Sequence, residues 1–304
     1  MSVTRIGHIG LVVSDLDGYG EFLTGGLGLT ETRREEGRAY YALGTRHHQV
    51  RITEGAAPGC DGIGFDVSDA ESLASLRGAV EEAGLEIVSD KPYDDTAAEG
   101  FSFQIPQGPT VELCAGVQLA PDPGAYPNDF YRSRGDHIKL QKLGHVGIGS
   151  PDPDAVERVF VDVLGFRISD RFPGVLSWAR CNADHHSVGF APAAAPGVHH
   201  MAFEIQSLAH YERLVDHLAL SGLRLIWGLG RHGPGNNLFA YFDDPSGTMI
   251  EVYANMAQIE NEDSYVPREW EDLQEVGNIW GPLPDDSWIG KLTPFTTVAA
   301  GVES

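Results

Sequence analysis

The run Met249-Ile250-Glu251-Val252-Tyr253 places a carboxylate in the middle of a short apolar strand. Such a group is costly there unless it faces water, is paired or binds a metal. Two histidines suggest the third case. His145 lies in "GHVGI" and His200 in "HHMAFEI", each a short apolar run with the alternation of a strand. Alternate strand residues share a face. Two neutral imidazoles and one carboxylate on one face of a sheet form the facial triad suited to non-haem Fe(II), with positions left open for substrate and O2; Mn(II) accepts the same ligands. His199 neighbours His200 and is expected to point to the opposite face. Other residues of chemical interest are the His185-His186 pair, His232 in the glycine-rich "GLGRHGPG", Tyr241, and Asp244 at the head of an Asp-Pro-Ser-Gly turn. Taken alone, His185-His186 reads most simply as a surface pair, and Asp244 as a turn residue.

The elements that must carry these residues occur in two copies. "IGHIGLVVSDLDGYGEFLTGGLGL" at 6–29 matches "LGHVGIGSPDPDAVERVFVDVLGF" at 143–166. "RHHQVRI" at 46–52 matches "DHHSVGF" at 184–190, and "GCDGIGFDV" at 59–67 matches "GVHHMAFEI" at 197–205. "FQIPQGPTVELCA" at 103–115 matches "FDDPSGTMIEVYA" at 242–254, so the offset holds at 137 to 139 residues throughout. A tandem duplication follows. Each copy divides again into β-α-β-β-β units over 3–53, 61–115, 143–190 and 198–254, with helices expected over 15–27, 70–83, 153–163 and 208–221. An α+β chain of two domains is expected: 1–116, a linker at 117–142, 143–257, and an acidic, tryptophan-containing tail at 258–304.

The duplication supplies an internal control. The first copy keeps His8 and Glu112, but Gly62 stands where the second has His200, and Ser102 where it has Tyr241. A pattern required only for folding should recur in both halves. The full set of chemical residues occurs once, in the second.

The stretch from Gly230 to Glu251 resembles the signature of type I extradiol ring-cleavage dioxygenases of the vicinal-oxygen-chelate superfamily. Gly230, His232, Tyr241, Asp244, Pro245, Gly247 and Glu251 fit it, while Ala240 replaces a larger apolar residue. "GHVGI", "NADHHSVGF" and "HHMAFEI" resemble the family's other motifs, and the likeness covers roughly residues 1–256. It implies paired β-α-β-β-β modules, with Fe(II) held by His145, His200 and Glu251. His186 would be the catalytic acid near O2. His232 and Tyr241 would contact the oxygens of a catechol and assist its proton transfer, with Asp244 in the substrate site. The reaction implied is O2-dependent ring cleavage beside the diol, in aromatic catabolism. Two alternatives remain at this point. One is another metal-dependent chemistry of the superfamily, such as a 4-hydroxyphenylpyruvate-type dioxygenase or an isomerase. The other is a metal-free binding protein of the same fold.

Composition narrows the partners. A net charge of −23 argues against nucleic acid and anionic membranes. No apolar run of the ~18 residues needed to span a bilayer occurs. Cys60, Cys114 and Cys181 are scattered and form no CxxC pair, which fits a reducing cytoplasm. A cytoplasmic homo-oligomer with no nucleic-acid or membrane partner is expected.

Overall fold

The computed structural model describes residues 3–120 and 140–296. Most of the expected linker therefore lies outside the described residues, as does the end of the tail. The first copy forms one sheet of eight strands: β1 (Val3–Val13), β2 (Thr30–Glu35), β3 (Arg38–Ala42), β4 (Val50–Glu54), β5 (Gly59–Val67), β6 (Glu86–Ser89), β7 (Ala97–Gln104) and β8 (Thr110–Val117). The second repeats the design with β9 (Leu140–Ser150), β10 (Arg167–Phe172), β11 (Leu176–Arg180), β12 (Val188–Pro192), β13 (Gly197–Ile205), β14 (Leu225–Arg231), β15 (Leu238–Asp243) and β16 (Met249–Ala254). The strand orders are β2-β3-β4-β1-β5-β8-β7-β6 and, read in the same sense, β10-β11-β12-β9-β13-β16-β15-β14. Each unit closes by laying its last strand parallel to its first, and its two units meet antiparallel through β1·β5 or β9·β13. This is an α+β fold, and the eight-strand order is the same in both halves.

The second sheet gains short strands from the tail. β17 (Arg268–Glu269) extends the edge at β10, and β18 (Thr293–Pro294) pairs with β13. The helices pack on the sheets by apolar stripes. In α2 (Ala70–Glu82) the buried residues are Leu73, Leu76 and Val80; in α4 (Leu208–Leu220) they are Tyr211, Leu214 and Leu218. These are the i, i+3, i+4 spacings that turn one helical face to a core. The Tyr211 hydroxyl lies 2.9 and 2.6 Å from the carbonyls of Leu238 and Val252, which ties α4 beneath the strands that carry the site.

The helices expected over 15–27 and 153–163 are each composite. α1 (Leu16–Glu21) widens into a π turn at Phe22–Gly26, and α3 (Pro153–Arg158) into one at Val159–Val163. Leu27 N–H donates to the carbonyl of Phe22, and Leu164 N–H to that of Val159, five residues back in both cases. Gly28 and Gly165 then stop the segments at φ of 72° and 75°, the left-handed region that glycine enters at little cost. The two halves share one core. Phe65 of β5 packs edge-on against Phe160 and Phe166 at 5.8 and 5.5 Å between ring centroids. No helix among the described residues is long and apolar enough to cross a membrane.

Candidate active site

Ala202 shows how three strands deliver one cluster. On β13 it pairs in register with His145 of β9 on one side and with Glu251 of β16 on the other. His200 lies two residues before Ala202 and shares its face. The three side chains therefore converge. His145 Nε2 lies 2.9 Å from Glu251 Oε2, and His200 Nε2 lies 3.4 Å from the same oxygen. One ligand atom from each falls within 4.8 Å of the others, a spacing able to hold a metal ion. Close approach of the strands depends on glycine. A Cβ at Gly147 would lie 2.5 Å from the His200 ring, and one at Gly144 would lie 1.7 Å from the Tyr253 hydroxyl.

Glu251 is buried, and burial alone would raise its pKa. The imidazoles of His145, His200 and His232 outweigh that effect and hold the carboxyl down to about 2. It also accepts from Tyr241 Oη at 2.7 Å and from Asn237 Nδ2 at 3.1 Å. An ionised carboxylate with two imidazole nitrogens turned toward it is a donor set that fits a divalent cation.

The other expected residues surround this cluster, with one exception. His186 lies just before β12, its ring 4.4 Å from that of His145. His232 follows β14; its Nε2 is 3.2 Å from Tyr241 Oη and its Nδ1 donates to the Gly277 carbonyl at 2.6 Å. Burial lowers the pKa of His186, His200 and His232 and raises that of Tyr241. All six line a cavity of about 410 Å³. Asp244 does not join them. Its carboxylate accepts from Ser246 N and Thr248 N within its own turn and from the hydroxyl of Tyr19 in α1, so it fastens the two halves instead of facing the cavity.

His199 corrects a second expectation. The pairing of β13 with β9 slips between Val198 and His200, leaving His199 as an extra, bulged residue. A bulge breaks the two-residue alternation and re-aims side chains. His199 therefore lines the same cavity as His200. Strand alternation also gives no notice of Asn237, which donates to Glu251, of Trp178 and Trp227 in the cavity wall, or of the tail residues Val276, Leu283 and Trp288 that close it. A tryptophan-rich tail was the one visible sign of the last. Of the other tail tryptophans, Trp270 donates to Asp170 at 2.8 Å, and Trp280 is half-exposed beneath the Arg231 guanidinium.

Residues 142–252 match the family profile of the Glyoxalase/Bleomycin resistance protein/Dioxygenase superfamily. The matched segment lies within the second of the two copies. Among curated relatives, Metapyrocatechase 2 of Cupriavidus necator is 28% identical over 270 residues, covering 85% of this chain and 83% of that protein. An iron-dependent extradiol dioxygenase of Rhodococcus jostii (strain RHA1) is 26% identical over 300 residues, covering 92% and 97%. The Mn(II)-bound glyoxalase from Novosphingobium aromaticivorans superposes with a TM-score of 0.84 at 26% identity, covering 100% of this chain and 97% of that one.

The first half keeps two of the three equivalent residues. His8 Nε2 and Glu112 Oε2 keep the pairing at 3.0 Å, and Gly62 supplies no side chain. The Tyr93 ring lies beside Gly62, 3.5 Å from where a Cβ would stand, and is itself covered by the buried Arg51 guanidinium, which lies 4.5 Å from its centroid and 2.7 Å from Asp61.

Proposed function

We propose that the protein is an extradiol dioxygenase in aromatic catabolism, cleaving the ring of a catechol-type substrate with O2 at a divalent metal centre. The observation that carries this reading is the convergence of His145, His200 and Glu251 from three strands, with His186, His232 and Tyr241 around them at one cavity. His145, His200 and Glu251 would hold Fe(II), with Mn(II) as the alternative ion. A metal bound there supplies Lewis acidity that lowers the pKa of a coordinated hydroxyl and leaves positions for the diol and O2.

The chain's own groups supply the proton handling. His232 Nδ1 is committed as donor to the Gly277 carbonyl, so Nε2 of the neutral ring carries a lone pair toward Tyr241. The Tyr241–His232 pair can receive a proton from a substrate hydroxyl. His186, kept neutral by burial, can take up the second hydroxyl proton and return it to oxygen as the general acid of ring cleavage. The N-terminal half is proposed as a structural partner without a metal.

The cavity points to the kind of catechol. Its distal wall is apolar, built by Val175, Leu176, Ala191, Leu273, Leu283 and Ile289, and among the described residues no lysine or arginine lines it. Glu251 and Asp286 add negative charge. An uncharged diol with an apolar substituent fits this lining better than a carboxylated one, whose charge would be buried without a partner.

The decisive test loads the protein anaerobically with Fe(II) or Mn(II) and supplies a panel of uncharged and carboxylated catechols. Expected are one metal per chain, consumption of one O2 per diol, and a yellow ring-fission product from the apolar-substituted members. A metal-loaded protein inert toward every catechol would overturn the reading.

A further inference from the structure

His199 and His200 form a pair of imidazoles with no counterpart in the first half. Their Nδ1 atoms lie 2.8 Å apart, and His199 Nε2 lies 3.3 Å from the backbone carbonyl of Trp288, in the short tail helix α5 (Asp286–Ile289). The directions of these hydrogen bonds can be assigned from one end. A carbonyl only accepts, so His199 Nε2 must carry a hydrogen. In a neutral ring its Nδ1 is then a bare acceptor. His200 Nδ1 must donate to it, which leaves His200 Nε2 unprotonated on the side that faces Glu251. The Trp288 ring packs edge-on against His199 at 4.5 Å between centroids, holding the ring in place. At the equivalent positions of the first half, Asp61 and Gly62 replace the two histidines and Asp61 pairs with Arg51. The relay is present only where the metal-ligand candidate is present.

We infer that His199 is a positioning residue: braced by the Trp288 carbonyl, it sets the tautomer and ring orientation of His200, so the tail segment governs metal affinity from outside the duplicated scaffold. This rests on the assignment of His200 as a ligand in the proposed function. Histidine ligands generally donate their second nitrogen to a carboxylate, carbonyl or water, and loss of such a partner costs about 10–100-fold in metal affinity or activity. An imidazole partner must itself be held in the accepting tautomer, which is what the tail carbonyl does.

The test titrates the full-length protein with Mn(II), following the resonance of free Mn(II), and repeats the titration with Fe(II) by anaerobic chelator competition. His199→Ala should bind about 10–100-fold more weakly than the parent. Two further variants separate positioning from packing. His199→Asn keeps an acceptor near the Nδ1 position and should recover affinity to within about threefold of the parent, whereas His199→Gln places its polar atoms near Nε2 and should resemble His199→Ala. A general packing defect would weaken Asn and Gln alike. His200→Ala, as reference, should lose the metal altogether. Parent affinity in His199→Ala, or equal losses in the Asn and Gln variants, would overturn the role of His199 and leave the proposed function standing. A parent protein that binds neither ion would overturn both.

Discussion

Arg51 offers the sharpest quantitative test of the claim that the first half has replaced ligand chemistry with an internal charge arrangement. Its guanidinium is buried with the Asp61 carboxylate at 2.7 Å, stacks on Tyr93, and leaves Nε and Nη1 without partners among the described residues. Arg51→Met keeps most of the apolar stem but strands Asp61, and it removes a cation close to Glu112. Breaking a buried pair by deleting one partner costs about 3–5 kcal/mol. For a domain of this size the loss corresponds to a fall on the order of 10 °C or more in the unfolding midpoint. The double variant Arg51→Met/Asp61→Leu tests the origin of the loss. With no charge stranded, it should recover most of the stability, since replacing a whole buried pair with apolar groups is often neutral or better. Urea unfolding followed by circular dichroism would measure all three proteins, and metal content should not change in any. A cost below about 1 kcal/mol for Arg51→Met, or a double variant less stable than the single one, would refute a structural role for this buried charge pair.

Three other outcomes are expected. His186→Ala should keep its metal and bind a catechol anaerobically, yet turn over slower by about 10²-fold or more, the contribution of a lost general acid; stopped-flow mixing with O2 separates the two steps. Glu112→Ala should leave metal stoichiometry and turnover unchanged while destabilising the protein well beyond a surface substitution, because it strands His8 and removes the acceptor for Tyr93 N at 2.6 Å; metal analysis and thermal unfolding measure the two effects. Asp66 is buried, which raises its pKa, but Arg46 and Arg5 outweigh that and hold it below the usual range. Its stabilising effect is therefore complete above the unfolded value of about 4 and is lost as pH falls through the lower folded value, so the stability gap to Asp66→Asn should narrow on acidification in a pH series of urea melts.

The spatial convergence of His145, His200 and Glu251 was legible because strand alternation is a strict rule and a duplicated chain carries its own comparison. Gly62 and Ser102 mark what the first half lacks, and the register places them at the positions equivalent to His200 and Tyr241. His199 was misplaced for the opposite reason. A bulge shifts facing by one residue, and nothing in Gly-Val-His-His-Met-Ala distinguishes a bulged strand from a regular one. Asp244 carried two compatible signals, a turn and a signature position; the hydrogen bonds within its turn and to Tyr19, 225 residues earlier, decide for the first. The π turns after α1 and α3 and the tail's place over the cavity also escaped, since both depend on packing against distant strands and have no periodicity of their own.

The tail's position has a consequence for biogenesis. Every strand of both sheets apart from the two short tail additions precedes residue 255 in the chain, whereas the carbonyls that brace His232 and His199 belong to Gly277 and Trp288. During synthesis the scaffold and all three metal-ligand candidates emerge before the groups that orient them. A nascent chain can thus form both sheets and hold a carboxylate between two histidines while the histidine tautomers remain unselected and the cavity lacks its outer wall. Under the proposed function, productive metal loading is then a late event, set by when the final segment docks and not by when the sheets form.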